Sequence, residues 1–436
     1  MTSPSPDPVT GAMVGPVAGA PAGAGPGPGG EAGPGPQEAV AAAQREADVR
    51  ALVDATVPEL VPELLALRRD VHAHPELGHH EHRTTRLLAE RLEAAGLAPQ
   101  LLPGTGLVVD VGDPDAPPVV LRADIDALPV TETSGVPFAS TTPGTTHACG
   151  HDVHTVVVLG AALVLVEAHR RALLPGRVRL LFQPAEEVTP GGAIEVLATG
   201  VLEGVQRFYA VHCDPRLDVG RVGLRHGPIT SASDHVRVRL RGRGGHTSRP
   251  HLTGDLVFAL GQVITALPAV LSRRLDPRTG VNLTWGRVEA GGAPNAIPVE
   301  GCVEGTLRVL DVAAWKEAGE LLQEVVASVA APYDVEAVVE VTPSVPPVDN
   351  DEDSVRVLQH AARLVLPEGA EARTEQSLGG EDFGWYLQDG APGALARLGT
   401  RSPGGRTFDL HQGDFVADEG AVEVGVRLLT AVALLG

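Results

Sequence analysis

A chain of 436 residues, 43% hydrophobic and 20% charged, has a soluble globular balance and exceeds one ordinary core, so two domains are expected. The formal net charge of −21 excludes nucleic acid and membrane surfaces as partners, but leaves a small substrate open because a cleft can carry its own charge. Three widely spaced cysteines, Cys149, Cys213 and Cys302, make no disulfide framework, which fits a cytoplasmic location.

Residues 1–44 contain no Lys or Arg, so no basic segment of a secretory signal is present, and their Pro, Gly and Ala content predicts a disordered tail. Helix is expected to begin within 40–53. A second stretch, 58–72, carries Leu60, Leu64, Leu65 and Val71 at helical spacing and ends near His74-Pro75. Another helix, 83–95, stops at Gly96. Strands follow at 107–111 and 119–123, the second leading into RADIDALPV. The longest apolar run, 156–166, is too short to cross a bilayer and lies in a helix expected over 156–172. Strand 178–182 ends in QPAEE, helix 192–198 follows, and strand 208–212 ends the region. This alternation predicts a largely parallel α/β sheet that binds ligands at the carboxyl ends of its strands.

The rhythm changes near Ser231. Strand 234–241, helix 252–271, strands 281–288 and 299–310, helix 313–330 and strand 335–341 spell β-α-β-β-α-β, a ferredoxin-like unit inserted over 231–342. After TPSVPPVDND the α/β pattern returns with helix 354–366, the run GGEDF, strand 394–398 and helix 418–435. The first domain is therefore expected to be discontinuous, over 45–230 and 343–436.

Residues 147–155 read HACGHDVHT, a density of thiol, imidazole and carboxylate that points to a late divalent metal. Cys149 and His151 are two apart and would share one side of an extended segment. Glu186 and Glu187 are adjacent after a strand and would point to opposite sides. One could then bind metal while the other takes and returns the proton of an attacking water. His212 ends the strand FYAVH, and His411 sits in FDLHQGDF. Cys149, His151, Glu187, His212 and His411 together supply enough donors for two metal ions. Cys213 and Cys302 read as core.

RADIDALPV, HACGHDVHT, QPAEE, GGHTSRPH, NAIP, GGEDF and LHQGDF occur in the order found in the M20 family of metallo-amidohydrolases, which the chain resembles from about Leu65 to its C-terminus. The similarity is to the branch of aminoacylases, hippurate hydrolases and auxin-conjugate hydrolases. It implies a two-metal site held by Cys149, His151, Glu187, His212 and His411, with Glu186 as general base and acid. The metals implied are Mn or Zn, with Co or Ni as alternatives, and the bridging side chain is left open. Asp124 and Asp126 match the family's strand-end aspartates and would support the ligands. Asp152 and His154 would either join them or lie solvated in the loop. Glu381 and Asp382 would shape the pocket or cap a helix. The inserted unit resembles the family's lid and dimerisation domain, implying a homodimer in which His246 polarises the scissile carbonyl. Asn295 and Arg308 would read the substrate carboxylate, an ion pair being the alternative for Arg308. The implied activity is hydrolysis of N-acyl-amino acids. A metallo-dipeptidase or carboxypeptidase and a non-catalytic metal- or peptide-binding homologue are the alternatives.

Overall fold

The computed structural model describes residues 35–189, 191–388 and 391–436. The tail expected over 1–44 lies outside them up to position 34. Helix α1, Pro36–Ala73, begins earlier than expected because AVAAAQREA is made of strong helix formers. It also runs unbroken through Pro58 and Pro62, where two helices were expected. Each proline removes one backbone donor, but Val49, Val53, Val57 and Leu64 bury the inner face and offset the loss.

The chain continues with α2 (His82–Ala94), β1 (Gln100–Leu101), β2 (Leu107–Gly112) and β3 (Pro118–Asp124). Then come α3 (His151–Arg170), β4 (Arg177–Gln183), α4 (Gly192–Ala198), β5 (Arg207–Asp218), β6 (Val222–Leu224) and β7 (Gly227–Pro228). The next stretch holds β8 (Ala232–Gly242), β9 (Gly245–His246), α5 (Leu256–Arg274), β10 (Asn282–Ala290), β11 (Ala296–Ile297), β12 (Glu300–Val309), α6 (Val312–Ala330) and β13 (Val335–Val345). Last are β14 (Asp349–Asn350), α7 (Glu352–Val365), β15 (Glu371–Arg373), β16 (Gly393–Arg401) and α8 (Gly420–Leu435).

Eight strands form one mixed sheet in the order β1-β2-β4-β3-β5-β16-β6-β15. Its centre, β4-β3-β5-β16, is parallel. Strand β3 is buried along its whole length, the apolar Val119, Val120 and Leu121 being followed by Arg122 and Asp124, which pair with each other. Helix α3 is apolar on all sides because α1, α8 and the sheet enclose it. At Gly160 a Cβ would lie 2.6 Å from Val426 of α8 and 2.7 Å from Leu64 of α1, so only hydrogen fits where the three helices meet. By length and composition α3 and α5 both reach what a membrane span needs, contrary to the expectation from the shorter apolar run. In α3 that surface is absorbed by the core.

The segment from β8 to β13 makes a second, antiparallel sheet in the order β10-β12-β8-β13. Val236, Val238 and Leu240 of β8 meet Leu260 and Val263 of α5 and Leu322 and Val326 of α6 in a separate core. Asp234, also on β8, is buried and accepts a hydrogen bond from Trp315 Nε1 of α6 at 2.7 Å. Burial pushes its carboxyl up to about 6, against the pull of Trp315. A carboxyl raised in the folded state favours folding while protonated and loses that stability as pH rises from the unfolded value near 3.8 through 6. Asp234→Asn keeps the acceptor without the charge. It is expected to raise stability above pH 6 by about 1–3 kcal/mol and to change nothing below pH 4, as read by urea unfolding across that range.

Candidate metal centre and active site

The candidate donors converge where β3 and β4 end, beside His212, which lies within β5 rather than at the strand end expected, because the strand continues to Asp218. Gly150 adopts φ 88°, which turns the chain into α3 between Cys149 and His151. A Cβ there would lie 2.7 Å from Cys213 Sγ. His151 is thus the first helical residue rather than part of an extended segment, and Asp152 and His154 are buried in α3 rather than solvated. The glutamates also differ from expectation. Past β4 the chain enters a turn with Ala185 at φ 55°, so strand alternation no longer applies. Glu186 and Glu187 consequently turn toward the same space, within 4.8 Å of each other and of His151.

Two donor groups share one thiol. Cys149, His151 and His212 form the first, and Cys149, Glu187 and His411 the second, each with donor atoms within 4.8 Å of one another. Cys149 Sγ lies 3.5 Å from His212 Nε2, and His411 Nε2 lies 3.3 Å from Glu187 Oε1. The imidazoles are aimed from behind. His151 Nδ1 donates to the Asp126 carbonyl at 2.9 Å, with Asp126 Oδ1 at 3.2 Å, leaving Nε2 directed at the other donors. His212 Nδ1 donates to the Cys213 carbonyl at 2.8 Å. Asp126 Oδ2 accepts from the Glu187 amide at 2.9 Å, so one carboxylate orients both a histidine and a glutamate. Asp124 accepts from His154 Nδ1 at 2.6 Å, and His154 Nε2 accepts from the Cys213 amide. His411 holds φ 63°, unusual for a residue with a Cβ, with its amide donating to the Ala148 carbonyl.

The electrostatics suit cations. Burial, then the Glu187 charge, pushes the Cys149 thiol well up. Burial, then Glu381, Glu187 and Asp382, does the same to Glu186. Burial and the Arg397 guanidinium hold His212 well below the usual histidine range, in the neutral form a metal takes. His151 Nε2 and Glu187 Oε1 are buried and have no hydrogen-bond partner. Thiolate, imidazole and carboxylate donors with orphaned atoms facing one another fit two borderline divalent ions.

A pocket of about 550 Å³ opens on this cluster. Cys149, Glu186, Glu187, His212, His411 and Arg308 line it. Arg308, on β12, donates to the Leu378 carbonyl. His246 and Asn295 do not line it. They lie exposed on the short β9–β11 pairing, where His246 Nδ1 accepts from the Ser248 amide at 3.0 Å.

Several charged residues of the site escaped the motif reading. Arg122, 1% exposed, binds Asp124 and Asp382, each at 2.6 Å, and Glu381 at 3.2 Å. Gln183 donates to Asp382 and accepts from Tyr386 Oη at 2.7 Å. The Asp382 amide in turn lies 3.3 Å from Glu186 Oε1, and Glu381 also caps the turn after it by accepting from the Phe383 amide. On the far side of α3, Asp152 binds Arg68 at 2.8 Å and His72 at 2.9 Å. An arginine inside an apolar strand, as in VVLRAD and ALARLG, was the available signal, since a buried charge must find a partner.

Residues 120–435 match the model of peptidase family M20/M25/M40. A Rhodococcus jostii (strain RHA1) protein that carries a glutamate–cysteine ligase name is 48% identical over 86% of this chain, but the chain spans only 46% of that relative. N-acetylcysteine deacetylase of Bacillus subtilis (strain 168) is 37% identical over 85% of this chain and 96% of its own length. The crystal structure of Bacillus subtilis YXEP protein, a dinuclear metal binding peptidase from the M20 family, superposes with a TM-score of 0.75 at 34% identity, covering 86% of this chain and 98% of that one. With the family model covering most of the sequence and a dinuclear relative sharing its fold, the chain belongs to peptidase family M20/M25/M40.

Proposed function

We propose that the protein hydrolyses the amide bond of N-acyl-amino acids, releasing a carboxylic acid and a free amino acid. The observation that carries this reading is the convergence of two donor groups on Cys149 with a second glutamate, Glu186, turned into the same space. The deacetylase relative of nearly equal length supports the substrate class.

Cys149, His151, Glu187, His212 and His411 would hold the metals, Cys149 being common to the two donor groups. When bound, two divalent ions supply Lewis acidity for the amide carbonyl and acidify the attacking water. Glu186 accepts the proton of that water and delivers it to the departing nitrogen. Its raised affinity for protons, set by burial and the neighbouring carboxylates, suits the second half of that exchange. Asp126 fixes His151 and Glu187 together, and Asp124 fixes His154 behind them. Arg308 takes the substrate's α-carboxylate.

The β8–β13 segment serves as a ferredoxin-like lid, and the assembly is a homodimer through it. His246 stands exposed and away from its own pocket, which agrees with a role in the partner's pocket, where it would stabilise the developing oxyanion alongside the exposed Asn295. The metals are Mn or Zn, and the site of action is the cytoplasm.

The test is a panel of N-acetyl- and N-benzoyl-amino acids and dipeptides, given to metal-stripped protein with and without Mn, Zn, Co or Ni. Amine release from the acylated substrates is expected only with metal, at a gain of at least about 10²-fold. Cleavage confined to dipeptides would replace this reading with the dipeptidase one.

A further inference from the structure

Arg397 lies on β16 opposite His212 of β5, and cross-strand partners leave a sheet on the same face. It lines the pocket beside Cys149, Glu186 and His212, yet is only 6% exposed. Its Nε is buried without a hydrogen-bond partner, and among the described residues no carboxylate forms an ion pair with it. The acids nearest in charge are already engaged. Asp214 is held by Arg216 at 3.0 and 3.1 Å, and Glu381 by Arg122 at 3.2 Å. A guanidinium so deeply buried without a counter-ion is costly, and divalent cations in the adjacent donors would add to that cost. An anion entering the pocket would remove it, and the planar fork of arginine matches a carboxylate. Arg308 already reaches the same pocket from the second sheet, so two cations on two different sheets border it.

We infer that Arg397 reads a second carboxylate on the substrate, so that the preferred N-acyl-amino acids are acidic at a position beyond the α-carboxylate, on the acyl group or on the amino-acid side chain. This rests on the amidohydrolase reading above. A substrate with a single carboxylate satisfies Arg308 and leaves Arg397 unpaired.

Two matched pairs separate the sources of the second charge: N-succinylglycine against N-acetylglycine for the acyl group, and N-acetyl-L-glutamate against N-acetyl-L-alanine for the side chain. The acidic member of at least one pair is expected to show a kcat/KM about tenfold or more above its neutral counterpart. Arg397→Met should bring that ratio to within about twofold of unity, and Arg397→Lys should retain part of it. Calorimetric binding of glutarate and butyrate to the metal-loaded protein needs no turnover. Arg397→Met should weaken glutarate about tenfold or more and leave butyrate unchanged. Equal losses on both members of a pair would assign Arg397 to the surroundings of Cys149 and His212, and would overturn the inference, as would the absence of any acidic preference in the unaltered protein. If no N-acyl-amino acid is cleaved, the amidohydrolase reading fails, and glutarate binding alone decides the role of Arg397.

Discussion

Glu186→Gln is expected to leave the protein folded and loaded with metal while lowering kcat by about 10³-fold. The amide has the size of the carboxylate and keeps an oxygen to accept from the Asp382 amide, so the turn after β4 need not move. It removes only the capacity to accept a proton. None of the five donors in the two groups that share Cys149 is touched. Metal content by elemental analysis and turnover of an N-acyl-amino acid are the paired measurements. A variant with full metal and more than about a tenth of normal kcat would show that another group carries the proton.

The largest expected effect on stability lies at Arg122. Arg122→Met should cost about 3–5 kcal/mol at neutral pH, because three buried carboxylates lose their shared cation. Asp382 is already pushed up to about 7 by burial, even with Arg122 pulling the other way. Asp124 is held well below its usual range, against its burial, by His151, His154 and Arg122. Without the arginine, Asp382 rises further above its unfolded value. Its share of the penalty is then full at high pH and shrinks as the pH falls and it takes up a proton. Urea unfolding at pH 8 and pH 5 should therefore show a smaller deficit at the lower pH. A deficit under about 1 kcal/mol at both would mean that the cluster is solvated or neutral in solution.

HACGHDVHT was legible in the sequence because its density of thiol, imidazole and carboxylate is unusual at any position, whereas Glu187, His212 and His411 are ordinary residues singly and were legible only as members of an ordered set of motifs. Their geometry was less legible. Strand alternation separated Glu186 from Glu187, but a left-handed residue at Ala185 turned both inward, and nothing in the letters QPAEE announces that conformation. The extended reading of 147–155 missed the helix start at His151, since histidine and aspartate are weak helix formers and the burial that stabilises α3 comes from distant elements. The two helical stretches read at 40–53 and 58–72 are one helix, because tertiary packing overrides the local effect of Pro58 and Pro62. Arg122 was visible as a charge in an apolar strand, but apart from the nearby Asp124 its acidic partners, Glu381 and Asp382, lie far along the chain.

Asp382 reaches Arg122 across 260 positions of sequence, and β16 lies between β5 and β6 rather than at an edge of the sheet. A ribosome adding about 5–20 residues per second needs roughly 10–50 s to cover that distance. In the later part of that interval, once β5 has been made, the nascent chain exposes the strand that will pair with β16, carries Arg122 without Asp382, and holds Cys149, His151, Glu187 and His212 without His411. The last strand and the last donor emerge close together, so closing the sheet and completing the donor set are nearly one event, late in synthesis. Until then the half-made sheet depends on chaperones or on speed to avoid pairing with a neighbour.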